Sequence, residues 1–91
     1  MKQSLYTIVL DYQGGTYISQ VSGDSPQMAV ARWTELASEH DLATWGLKRA
    51  ELKRLSDDNL IPLQKCKNVW CATNSAKRGL MLVNVVATRN P

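Results

Sequence analysis

The apolar positions change their period twice along the chain. From Leu5 to Leu10 they run almost without interruption, and from Thr16 to Val21 they alternate with polar residues. Both segments are short and rich in β-branched and aromatic residues, as strands require. Between them lies Tyr12-Gln13-Gly14-Gly15, whose paired glycines supply the positive φ of a tight turn, so the two strands are expected to form a hairpin. After Ser22-Gly23-Asp24-Ser25-Pro26 the period lengthens to that of a helix. Ala29, Val30, Trp33, Leu36, Ala37 and His40 make one stripe, with Arg32, Glu35 and Glu39 outside it. Ser25 is placed to cap the free amides, and Pro26 suits the first helical position.

A second, shorter helix is expected from about Trp45 to Leu55. Trp45, Leu52 and Leu55 share a face with Leu47 near its edge, while Arg49 and Lys53 form an outward pair one turn apart. Gly46 weakens its start, and Ser56-Asp57-Asp58-Asn59 ends it. The last third reads as strands. Leu60–Leu63 contains Pro62 and so suits an edge strand or none. Val69–Thr73 follows, then a loop through Asn74–Gly79, then Leu80–Thr88. In that last strand Leu80, Leu82 and Val86 face one way and Met81, Val83, Val85 and Ala87 the other. A strand apolar on both faces is expected at the centre of a sheet covered on both sides. Two helices supply one cover; a second subunit would supply the other. The pattern therefore predicts one α+β domain over residues 1–91, with a single largely antiparallel sheet in the order β-β-α-α-β-β-β and the helices on one face.

Composition adds a charge map to this picture. Of 91 residues, 44% are hydrophobic and 21% charged, which fits a globular chain rather than a disordered one. The mild net charge of +3 conceals a division. Residues 1–47 hold two bases against five acids, and residues 48–91 hold nine bases against three acids. Phosphate contacts favour such basic clusters, so Lys48, Arg49, Lys53, Arg54, Lys77 and Arg78 are the candidate nucleic-acid residues, weighed against an ordinary solvated surface. The apolar run Leu5–Leu10 is too short for a signal peptide or a membrane span, so a cytoplasmic protein with no membrane association is expected.

Catalytic chemistry finds little support. Cys66 and Cys71 lack the spacing of a zinc knuckle or a redox pair and are expected to be structural. His40, the sole histidine, is placed at the end of the first helix, where it can interact with terminal carbonyls. Asp57-Asp58 reads as a turn former, and Gly14-Gly15 lacks the spacing and lysine of a phosphate loop. A metal-dependent nuclease would need Asp11, Asp57 and Asp58 to converge on one ion. No catalytic, metal or cofactor residues are assigned, and no cofactor is expected. Trp33, Trp45 and Trp70 are expected in the core. Were Trp70 and Met81 exposed together they would mark an interface, so Trp70, Met81, Val83 and Val85 are the candidate protein-contact residues.

The segments Tyr6–Leu10, Gly14-Gly15-Thr16-Tyr17-Ile18-Ser19-Gln20-Val21 and Gly23-Asp24-Ser25-Pro26-Gln27-Met28-Ala29 resemble the HicB-type antitoxin domain. In that family a strand hairpin leads through Gly-Asp-Ser/Thr into an amphipathic helix. The resemblance covers under half the chain and lacks the family's Leu-Pro-Gly-Cys-like insert. It implies a degenerate RNase H-like sheet, a small toxin as binding partner, and frequent dimerisation. Together with the doubly apolar last strand, it gives the leading expectation: a small non-enzymatic binding module that acts through a protein partner or as a self-dimer. Nucleic-acid binding through the basic half is the alternative, and the nuclease the third reading.

Overall fold

The computed structural model describes residues 3–57 and 59–88. Its elements in chain order are β1 (Ser4–Tyr12), β2 (Gly15–Gly23), α1 (Pro26–Leu36), α2 (Glu39–Trp45), α3 (Arg49–Asp57), β3 (Ile61–Pro62), β4 (Val69–Ala76) and β5 (Gly79–Thr88). The five strands form one antiparallel sheet in the order β2-β1-β5-β4-β3. The α+β class and the single antiparallel sheet follow the sequence expectation, with three helices in place of two.

The β1–β2 hairpin pairs Tyr12 with Gly15, so the turn is made by Gln13 and Gly14. Both have positive φ, 52° and 77°, the mark of the type I′ turn whose twist matches the strands it joins. Gly15 is thus a strand residue. The β4–β5 hairpin is also tighter than expected: β4 continues to Ala76, and Lys77 and Arg78 alone make the turn. Pro62 lies in the outermost strand, paired with Trp70, where its missing N–H faces no neighbour.

The expected first helix divides in two. Ser25 caps α1 by accepting from the Met28 amide at 3.1 Å, with Pro26 in the first turn, but the helix stops at Leu36. Ser38 and Asp41 form a reciprocal cap there: Ser38 Oγ accepts from the Asp41 amide at 3.0 Å, and Asp41 Oδ2 accepts from the Ser38 amide at 3.1 Å. That pair starts α2, because it satisfies orphan amides that a continuous helix would have no need to expose. His40 consequently lies exposed in the first turn of α2, not at the end of the first helix. Leu36 is 63% exposed, and Thr34 takes its place on the buried side. Gly46 ends α2 rather than starting the next helix, with φ of 73°. Trp45 therefore belongs to α2 and is separated from Leu52 and Leu55, which α3 buries.

All three helices lie on one face of the sheet. Beneath them sit Tyr6, Ile8, Leu10 and Tyr12 of β1, Met81, Val83 and Val85 of β5, Val21 of β2 and Ala72 of β4, enclosed with Ala29, Val30, Trp33, Leu42, Trp45, Leu47, Leu52 and Leu55. The indoles of Trp33 and Trp45 lie 5.7 Å apart, and Tyr17 extends the row at 5.9 Å from Trp45. Tilted ring contacts at these separations add to the area they bury. Among the described residues no helix is long and apolar enough to cross a membrane.

Candidate functional site

The opposite face of the sheet carries no helix. Strand alternation places on it Leu5, Thr7, Val9 and Asp11 of β1, Thr16, Ile18 and Gln20 of β2, Leu80, Leu82, Asn84 and Val86 of β5, Val69, Cys71 and Thr73 of β4, and Ile61 of β3. Cross-strand pairing lines up Ile18, Val9, Asn84, Cys71 and Ile61 in one row across the five strands. Ile18, Ile61 and Leu80 are 68%, 63% and 62% exposed, and Val9, Leu82, Val86, Val69 and Cys71 are half-buried against one another. From strand spacing and residue rise, the four long strands present about 500 Å². Part of that area is apolar and part polar, and exposed apolar patches on a single chain commonly mark contact surfaces.

The polar residues of this face are largely bonded to each other. Thr7 Oγ1 lies 2.5 Å from Thr88 Oγ1 and accepts from Gln20 Nε2 at 3.0 Å, while Thr16 donates to Asp11 Oδ1 at 2.6 Å. These bonds run sideways along the sheet and leave little polar demand outward. Asn84 is different. It stands between Val9 and Cys71 at the middle of the row, half-buried, and its side-chain amide makes no hydrogen bond among the described residues. Such an amide keeps two donors and an acceptor for whatever covers it.

The proposed contact residues fall on the wrong side of the sheet. Met81, Val83 and Val85 are 0% exposed beneath the helices, so they are core and unavailable to a partner. Trp70 is half-buried on that same side, its ring 6.3 Å from Tyr6 in an edge-on contact. The alternation that buries these residues turns Leu80, Leu82 and Val86 outward, so the surface lies one residue out of register from the one expected.

The basic set is partly consumed by the fold. Arg49 is no outward partner of Lys53: its guanidinium donates to the carbonyls of Thr34 at 2.7 Å, Glu35 at 3.2 Å and Ala37 at 2.7 Å, with Glu39 at 3.5 Å. It caps the end of α1, as orphan carbonyls there require. Arg54 Nη1 donates to Ser75 O at 2.9 Å, tying α3 to β4. Lys48, Arg54 and Lys77 do meet at one corner, where α3 approaches the β4–β5 turn, but a carboxylate sits among them. Glu51 accepts from the Lys48 amide at 2.9 Å and from the Lys77 amide at 2.6 Å. These two amides, followed by Arg54 and Lys48 as charges, hold its carboxyl below the usual range. Lys53 is exposed on α3.

The other candidates stay apart. Asp11 lies on the open face and Asp57 at the end of α3 beyond the opposite face, while Asp58 is outside the described residues. Among the described residues no group of three or more His, Cys, Asp or Glu could hold a metal ion. Cys66 is exposed in the β3–β4 connection and Cys71 is on the open face; both are free thiols. The surface of the described residues includes shallow hollows. One, of about 220 Å³, is lined by Gly23, Asp24, Met28, Ala31, Arg32 and Glu35. Another, of about 180 Å³, lies between the outer edge of β2 and the α1–α2 junction, lined by Ser19, Val21, Trp33, Leu36, Asp41 and Trp45 among others. No known protein family, no characterised protein and no solved structure matches this chain significantly.

Proposed function

We propose that this protein is a small non-catalytic binding module whose uncovered sheet face docks a protein partner. The observation that carries this reading is the row Ile18, Val9, Asn84, Cys71 and Ile61, apolar but for one unbonded amide at its centre. The partner it fits is an apolar protein surface of low charge. Among the described strand residues only Asp11 is charged on this face, and Thr16 already bonds it. Opposite Asn84 the partner offers a backbone or side-chain amide, since a buried unpaired amide would cost about 1–3 kcal/mol. Apolar area then supplies affinity and Asn84 supplies register.

A photo-crosslinking amino acid placed at Leu82, and at Lys53 on the helical layer for comparison, tests this in expressing cells. The expected outcome is a discrete protein adduct from position 82 that is absent from position 53 and weakened by Asn84→Leu. Equal adducts from both positions, or none from position 82, would count against the reading. Nucleic-acid binding is the competing outcome: fluorescence anisotropy with short DNA and RNA should then show binding that falls steeply with salt. With Arg49 and Arg54 engaged on carbonyls, that outcome would rest on Lys48, Lys53, Lys77 and Arg78.

A further inference from the structure

The two edges of the sheet are defended unequally. One is closed by β3, two residues long with a proline, which is how folded proteins commonly blunt an edge. The other is β2, nine residues from Gly15 to Gly23 with no proline and no charged residue. The two-residue turn makes Tyr12 and Gly15 a hydrogen-bonded pair, so the odd-numbered residues of β2 bond to β1. The amides and carbonyls of Thr16, Ile18, Gln20 and Ser22 therefore point away from the sheet, and no described strand lies there to receive them.

Beside this edge runs the hollow of about 180 Å³ lined by Ser19, Val21, Trp33, Leu36 and Trp45. Trp33 is 4% exposed, and its indole Nε1 is buried without a hydrogen-bond partner. A buried indole N–H nearly always finds an acceptor.

We infer that β2 pairs antiparallel with β2 of a second copy of this chain, joining two sheets into one of ten strands. The strand is suited to itself. Centred on Ser19, the pairing sets Ile18 against Gln20 and Thr16 against Ser22, so the outward-pointing groups of each copy meet those of the other in register. About eight backbone hydrogen bonds result. Every cross-strand pair is free of charge repulsion because β2 holds no charge. The two-fold axis passes between the two copies of Ser19, which places each Ser19 hydroxyl at the mouth of the other's Trp33 groove. Such an interface is isologous and closes at two. It also sets the two open faces side by side as one surface, while standing independently of what that surface binds.

Sedimentation velocity on the full chain, with amide hydrogen exchange resolved by residue, tests the pairing. A dimer is expected in which the amides of Thr16, Ile18, Gln20 and Ser22 become protected as concentration rises. Gln20→Pro removes an outward N–H and leaves the β1 ladder intact; Ser19→Lys sets two charges face to face. Both should return the protein to monomer with an unchanged far-ultraviolet spectrum, whereas Leu82→Asp on the open face should leave the dimer in place. A monomer at every concentration with those four amides exchanging freely would overturn the inference. So would a dimer that survives Gln20→Pro and Ser19→Lys but is lost with Leu82→Asp, and that result would leave the open face as a contact surface.

Discussion

On β5, Met81, Val83 and Val85 alternate with Leu80, Leu82 and Val86, two sets of nearly equal hydrophobicity. The first set is wholly enclosed; in the second, Leu80 is 62% exposed and the others are half-buried only by their neighbours. The difference lies in the chain between β2 and β3, not in the side chains. Residues 24–60 carry all three helices, and that connection crosses one face of the sheet alone. Once Trp33, Leu42, Trp45, Leu52 and Leu55 have covered that face, nothing described is left for the other. Of these two matched sets, one thus becomes core and the other stays uncovered, through topology alone.

The contrast is broken most sharply by placing the same charge on each side. Val83→Asp buries an unpaired carboxylate in the core and should lower stability by more than about 4 kcal/mol, enough to unfold a domain of this size. Leu82→Asp, one residue away, should change stability by less than about 1 kcal/mol. Urea denaturation of the pair measures both, and comparable losses would mean that the open face is not open.

Arg49→Ala tests how firmly the helical cover is held. It removes three charge-assisted bonds to the end of α1 and should cost about 2–3 kcal/mol. Arg49→Lys should recover only part of this, because an ammonium cannot reproduce the planar fork. Faster hydrogen exchange confined to α1, α2 and α3, with the β1–β5 pairing unchanged, is the expected pattern.

Glu51→Gln has a small effect and a pH signature. The native carboxyl titrates below its ordinary value of 4.5, so the ionised group stabilises the fold. That contribution is present in full above pH 4.5 and disappears as pH falls through the lower native value. The variant should therefore be less stable than the parent by about 1 kcal/mol at pH 7 and converge with it under acid conditions. Chemical denaturation at a series of pH values would show the two curves meeting; a constant gap would assign the loss to shape instead of charge.

Much of this architecture was legible in local pattern. The Gly14 hairpin, the Ser25-Pro26 helix start, the proline edge and the doubly apolar last strand each depend on a few adjacent residues, and each is found in the structure. The break after Leu36 was obscured because the apolar stripe runs on through Ala37 to His40. The competing signal, Ser38 three residues before Asp41, is itself local and was available. The helical pattern points Arg49 outward beside Lys53 because its carbonyl partners lie 12 to 15 residues earlier, a distance only tertiary packing can close. Which face the helices cover is beyond the pattern altogether. A strand apolar on both sides has no period-two contrast, so the alternation says which residues go together and not which set meets the helices.

The central pairing of β1 with β5 has a consequence for how the molecule is made. It joins residues 5–11 to residues 82–88, so the first strand waits for the last before either has its full set of partners. During synthesis the β1–β2 hairpin and three helices emerge first, with Ile8 and Leu10 facing helices across a floor that lacks its middle plank. Contacts so distant along the chain slow folding, because the loop must close before any pairing rewards it. For that interval both edges of the hairpin are unpaired, and the nascent chain is at its most vulnerable to pairing with the wrong strand.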